Sequence, residues 1–149
     1  MNKTNSTIAG FFLLILALTI NIAAAEISQN QNNLNDTELI DDIQPYDGAI
    51  GPEHSLYGLK IEFENLGEGF TFNMTEKLAK QTEHARLRIA EAKTKLKEKN
   101  NDAVEKALEG YREKLKESED LITKLGVNET GILNSQKMIA KHQFVLKHL

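Results

Sequence analysis

The side chains able to do chemistry are few and scattered. Four histidines occur, at His54, His84, His142 and His148. A zinc site needs three or four ligands brought together, usually as closely spaced pairs. His142 and His148 are six apart and fall on different faces of a helix. His84 has Glu83 beside it, but adjacent helical residues diverge. These histidines are expected at helix interfaces or in solvent, and no metal is expected. There is no Cys, which removes disulfides and thiolate ligands. The acids are spread through helical stretches, where charge marks a solvated face, and no pair of them is set apart for acid–base work. Gly-x-Ser-x-Gly, a phosphate loop and His-Glu-x-x-His are all missing from the sequence. We therefore expect no catalytic residues, no cofactor and no enzyme.

Other residues carry weaker signals. Asn35-Asp36-Thr37, Asn73-Met74-Thr75 and Asn128-Glu129-Thr130 are glycosylation acceptors if the chain is exported. Asn73 also suits a helix N-cap, and Asn128 a turn after a helix. Lys93, Lys95, Lys97 and Lys99 crowd one helix end. Cations there favour the helix dipole by about 0.3–1 kcal/mol, which is the expected role rather than a polyanion patch. Arg88 and Glu91 border an apolar seam and are expected to pair with charges on another helix.

The elements that must position these groups follow from periodicity. Leu78, Thr82, Ala85, Ile89, Ala92 and Leu96 step in fours and threes. So do Val104, Leu108, Tyr111, Leu115, Ser118, Ile122 and Leu125. This is the 3.5-residue period of helices packed side by side, and it predicts a hairpin over residues 74–125. Asn73 should cap the first helix, with Glu76 closing a capping box, and Asp102 should cap the second. Glu76–Lys80, Glu91–Lys95 and Asp102–Lys106 are i,i+4 pairs. Gly110 inside the second helix costs roughly 1 kcal/mol against Ala and requires a packing reason. Two helices leave side stripes uncovered (Leu87 and Ala90; Ala103 and Ala107). A short helix with Leu56, Leu59, Phe63 and Leu66 on one face should help cover them, with Phe70 and Phe72 tucked beneath the next helix start. A last helix carrying Ile132, Ile139, Leu146 and Leu149, capped by Asn134 or Ser135, completes the bundle. Its pattern runs to Leu149 without a stop signal, which predicts a domain truncated at that end.

Before this domain, residues 1–25 read as a secretory signal peptide: Lys3, the apolar run Ile8 to Ile20, then Ala23-Ala24-Ala25. Cleavage is expected before Glu26; left uncut, the segment would be the chain's contact with the membrane. Residues 26–50 are rich in Asn, Gln and Asp and lack helical periodicity, so a flexible polar linker is expected. Residues 51–149 form the helical domain. Formal net charge is −4, and −5 without residues 1–25, whose one charged side chain is Lys3. That balance argues against a nucleic-acid surface.

Three stretches resemble one family. Pro52-Glu53-His54-Ser55-Leu56-Tyr57-Gly58-Leu59-Lys60 resembles the Pro-Asp-Ser-x-Leu-Tyr-x-Leu-Lys opening of domain of unknown function 5667, departing from it at Glu53-His54. His84 to Ala92 is similar to its Ala-x-x-Arg-Leu-x-Glu-Ala helix, and Ala103 to Leu115 to its Ala-Leu-x-x-Tyr-x-x-x-Leu helix. The resemblance spans about residues 50–149 and implies an exported or membrane-anchored helical domain of archaea and bacteria with no assigned activity. The resulting expectation is an all-α, extracytoplasmic, non-enzymatic binding or structural module of the cell envelope. It would meet a protein partner, or a second copy, through its helical faces. The alternative is a periplasmic-type stress or metal sensor working through the hairpin.

Overall fold

The computed structural model describes residues 40–126 and 130–149. Among the described residues four helices follow one another: α1 (Tyr57–Gly69), α2 (Met74–Lys97), α3 (Asn101–Leu125) and α4 (Thr130–Lys147). There is no strand among the described residues. The fold is the all-α long antiparallel hairpin, α2 against α3, with a short helix before it and a C-terminal helix completing a small bundle.

The start of α2 is fixed by Asn73, whose side-chain oxygen accepts the N–H groups of Thr75 and Glu76 at 3.0 Å each. Glu76 does not appear as the return half of a capping box; its carboxylate lies 3.3 Å from Lys80. Over 24 residues the helix rises about 36 Å. It ends where Lys99 turns left-handed, with φ of 58°. Lys99 N–H then donates to Leu96 O at 3.1 Å and Asn100 N–H to Lys95 O at 3.0 Å, which closes the last free carbonyls. Asn100 caps α3 at once, accepting from Ala103 N–H at 3.2 Å. Asp102, the predicted cap, sits instead in the first turn, where its charge meets the positive end of the dipole.

Leu78, Thr82, Ala85, Ile89 and Ala92 are buried in the seam, as their spacing predicts. On α3 the buried face is Ala103, Ala107, Tyr111, Lys114, Ser118 and Leu121. Val104, Leu108, Leu115 and Ile122 are half-buried beside it, and Ala103 and Ala107 are seam rather than side stripe. The helix is turned so that small residues meet the large side chains of α2. Gly110 shows why: a Cβ there would stand 3.1 Å from Arg88 Cδ. The missing side chain makes room for the buried Arg88 stem.

Ten of the 24 residues of α2 are buried, because it is covered on several sides. Leu78 meets Leu121 of α3 and Ile132 of α4 in one apolar cluster, with Ile122 and Leu125 against it. Val145 and Leu146 are also buried, whereas Leu149 is exposed. Ser135, a predicted cap for α4, is buried within it, since that helix starts earlier, at Thr130. A third side is covered by residues 40–50. Tyr46 N–H donates to Ala90 O at 3.0 Å, Thr94 Oγ1 donates to Tyr46 O at 2.7 Å, and Ile43 is buried. These residues, placed by composition in the linker, are anchored along α2. Residues 26–39 and the predicted cleavage site lie outside the described residues.

The largest departure from expectation is the orientation of α1. Leu56, Leu59, Phe63 and Leu66, its predicted inner face, are all exposed, as are Phe70 and Phe72. Tyr57 and Glu68 are buried instead. The helix is amphipathic as predicted, but it presents its polar face to the bundle.

Candidate functional site

The reason for that orientation lies on α2. Arg88 and Glu91 are one helical turn apart, almost wholly inaccessible, with their side chains 3.1 Å apart. Two buried charges need further partners, and α1 supplies them at Tyr57, Lys60 and Glu64, which its helical spacing places on one face. Glu91 accepts from Tyr57 Oη at 2.6 Å and from Lys60 Nζ at 2.5 Å. Arg88 donates through Nη2 to both oxygens of Glu64, at 2.7 and 2.6 Å. Its Nη1 donates to Tyr57 Oη at 2.5 Å. Both bonds to Glu64 come from Nη2 while Nη1 serves Tyr57 and Glu91, so the planar guanidinium spans partners on both helices. Lys106 of α3 stands 5.0 Å from the centre of the Tyr57 ring.

A second cluster holds the far end of α1. Glu68 is bonded to His84 Nδ1 at 2.5 Å and accepts from Lys114 Nζ at 2.9 Å. Lys114 also donates to Asn65 and Glu117. At the hairpin end Lys95 bridges Glu53 and Glu98, at 2.6 and 2.7 Å. The predicted Glu91–Lys95 pair therefore gives way to longer-range partners for both residues.

Electrostatics follow from this crowding. Burial pushes the Tyr57 hydroxyl up, and its hydrogen bond to Glu91 pushes the same way. Burial opposes the Arg88 charge, yet Glu91, Tyr57 and Glu64 more than offset it. Burial also raises Glu68, but the bonds from His84 and Lys114 prevail and hold its carboxyl below the usual range. These charged forms are fixed by one another, so the cluster works as a polar latch that clamps α1 onto the hairpin.

The other candidate residues are dispersed. His54 is exposed and accepts from Leu56 N–H at 3.0 Å. His148 is exposed and lies against Phe144. His142 is buried edge-on to Tyr111, with ring centres 6.0 Å apart, and burial lowers its pKa to about 4. Among the described residues no three of His, Asp and Glu gather as a metal site. Lys93 is bound to Asp41 and Ile43 O; with Lys95 also engaged, half of the predicted cationic cluster serves to hold the chain together. Of the three sequons that follow the predicted signal peptide, Asn73 is exposed and acts as the cap; Asn35 and Asn128 lie outside the described residues. A cleft of about 420 Å³ opens beside Glu68, with Lys77, Gln81, Glu117 and Lys124 in its wall; the two signs of charge there select no one ligand.

The sequence placed Arg88 and Glu91 at a helix interface with charged partners, but Tyr57, Lys60 and Glu64 as those partners, and Glu68 as the partner of His84 and Lys114, were missed. The signal was present in their own i, i+3, i+7 and i+11 spacing, a polar stripe as regular as the apolar one opposite it. Tyr57 and Lys60 lie in the first of the stretches singled out above and Arg88 and Glu91 in the second, and they meet at hydrogen-bond distance.

Comparison with known proteins gives one match. The family model of a domain of unknown function (DUF5667) covers residues 49–149. No curated protein and no solved structure matches the chain. Among the described residues no helix is long and apolar enough to cross a membrane.

Proposed function

The chain belongs to the DUF5667 family, and from that premise we propose that it is an extracytoplasmic, non-enzymatic binding or structural module of the cell envelope. One observation carries this reading: α1 is clamped by buried charges while its Leu and Phe side chains face outward. Contiguous exposed apolar surface of this kind marks an interaction site. Export is supported by the apolar run Ile8 to Ile20 and by Ala23-Ala24-Ala25. A non-catalytic role is supported by the latch itself, whose carboxylates and cations are engaged with each other.

The test is site-specific photo-crosslinking in intact cells, with the photoreactive residue at Phe63 of the full chain. A second chain carries it at Glu113, exposed on α3. The expected result is a protein adduct from position 63 but not from 113, in a fraction outside the cytoplasm. No adduct from 63, or a cytoplasmic chain, would overturn the reading.

A further inference from the structure

We propose that the outward face of α1 is a self-pairing seam, and that its occupant is α1 of a second copy of this chain, running antiparallel. This rests on the reading that the α1 stripe is the contact face, and it names the partner. Leu56, Leu59, Phe63, Leu66 and Phe70 are spaced 3, 4, 3, 4, the repeat of a helix pressed along another helix. All five are exposed, from 49% for Leu56 to 69% for Phe70, and Phe72 beyond them is 92% exposed. The face points directly away from the bundle, opposite Tyr57 and Glu68.

Counted from Phe63, the outer pair stands at −7 and +7 and the inner pair at −4 and +3, so the stripe reads nearly the same in both directions, to within one residue. In an antiparallel pair Phe63 meets its own twofold mate, Leu59 meets Leu66, and Leu56 meets Phe70, so the larger side chain faces the smaller at each end. Area agrees. With roughly 150–250 Å² on each aromatic side chain and somewhat less on each leucine, the five seam residues leave on the order of 550 Å² outward per copy. Covering them on both copies gives about 1,100 Å², just above the roughly 1,000 Å² that a specific interface requires.

The glycines of α1 point the same way. A Cβ at Gly58, Gly67 or Gly69 would meet nothing within 4 Å, so the fold of one copy gives no reason for them. Each lowers helix propensity by roughly 1 kcal/mol against Ala. Gly67 lies directly beside the stripe, between Phe63 and Phe70, where a missing side chain lets a second backbone approach. A lipid surface suits the face less well. Helices that lie on membranes carry Lys or Arg along the polar side, whereas the one cation of α1, Lys60, is held by Glu91 and the rest of its charge is Glu62, Glu64 and Glu68.

The chain has no Cys, so single cysteines placed in the full chain report pairing without ambiguity. Phe63→Cys treated with a short bis-maleimide should give crosslinked dimer. Leu56→Cys alone should give about tenfold less, because its mate lies about 21 Å away along the helix at 1.5 Å per residue. Leu56→Cys mixed with Phe70→Cys should crosslink again. In sedimentation, Phe63→Glu should weaken self-association at least about tenfold, as loss of a central aromatic anchor does, with helix content unchanged. Crosslinking of Leu56→Cys to itself as strongly as Phe63→Cys would overturn the antiparallel arrangement. A monomer at all concentrations would overturn the self-pairing. If that monomer still gives the adduct from position 63 in cells, the interaction module stands with a foreign partner; if it floats with phosphatidylcholine vesicles, the face is a lipid surface. Without adduct or flotation, the interaction reading falls as well.

Discussion

Replacing Arg88 with Met tests whether the latch holds α1. The side chain is 1% exposed and joins Glu64, Glu91 and Tyr57. Removing one member of a buried charge pair destabilises by about 3–5 kcal/mol, because the remaining charge is left uncompensated. Two features place this case at the lower end. Glu64 retains 13% side-chain exposure and can turn to water, and Glu91 keeps Lys60 and Tyr57. We expect a loss of about 3 kcal/mol, and at about 4–8 °C per kcal/mol for a domain near this size, a melting temperature lower by roughly 12–24 °C. Urea and thermal unfolding, each followed by far-ultraviolet circular dichroism, measure the two. Arg88→Lys should lose stability as well, because one ammonium nitrogen cannot serve Glu64 and Tyr57 from the two positions that Nη2 and Nη1 occupy. Adding Glu64→Gln to Arg88→Met should restore at least about 1 kcal/mol, since the stranded negative charge goes with it while Glu91 keeps Lys60. A loss below about 1 kcal/mol for Arg88→Met, or a double variant weaker than the single one, would refute the buried latch.

Three further outcomes follow from particular residues. Lys99→Gly should raise stability by about 0.5–1 kcal/mol in the same urea assay, because Lys99 holds a left-handed φ of 58° that a side chain resists and glycine accepts. Gly67→Ala should stabilise the single chain by about 1 kcal/mol through helix propensity; Gly110→Ala should not, because its new methyl meets Arg88, and parallel urea titrations of the pair decide it. His142 is held neutral by burial, with its pKa lowered to about 4 from 6.5. Between those values the unfolded chain binds a proton that the folded one refuses, so its contribution is complete above pH 6.5. It is lost progressively as pH falls to 4, by about 3 kcal/mol in all; His142→Gln should flatten stability across that window.

What could be read from the chain was periodicity; what could not was which side of a period turns inward. The α2 seam from Leu78 to Ala92 was legible because its apolar residues are also its buried ones. On α3 the rule that large apolar residues go inside pointed to Leu108 and Leu115. Packing chose Ala107 and Lys114 instead, because space was needed for Arg88 and a partner for Glu68. For α1 the rule pointed to the wrong face altogether. A 13-residue helix with an apolar and a polar stripe can bury either, and the choice rests on Arg88 and Glu91, more than 20 residues downstream. Asn100 displaced Asp102 as a cap because the turn after Lys99 closed in one residue. Residues 40–50 look like linker by composition, and only their bonds to Ala90, Lys93 and Thr94 make them part of the domain.

The account turns on the polar side of α1 facing the hairpin. Nuclear Overhauser spectra of the labelled chain read this directly, with isotope filtering to separate contacts between copies. The account predicts contacts from the Tyr57 ring to the side chains of Arg88 and Lys106, and none within one copy from the Phe63 ring to α2. Contacts from Phe63 or Leu59 to the seam residues of α2, with Tyr57 in solvent, would contradict it.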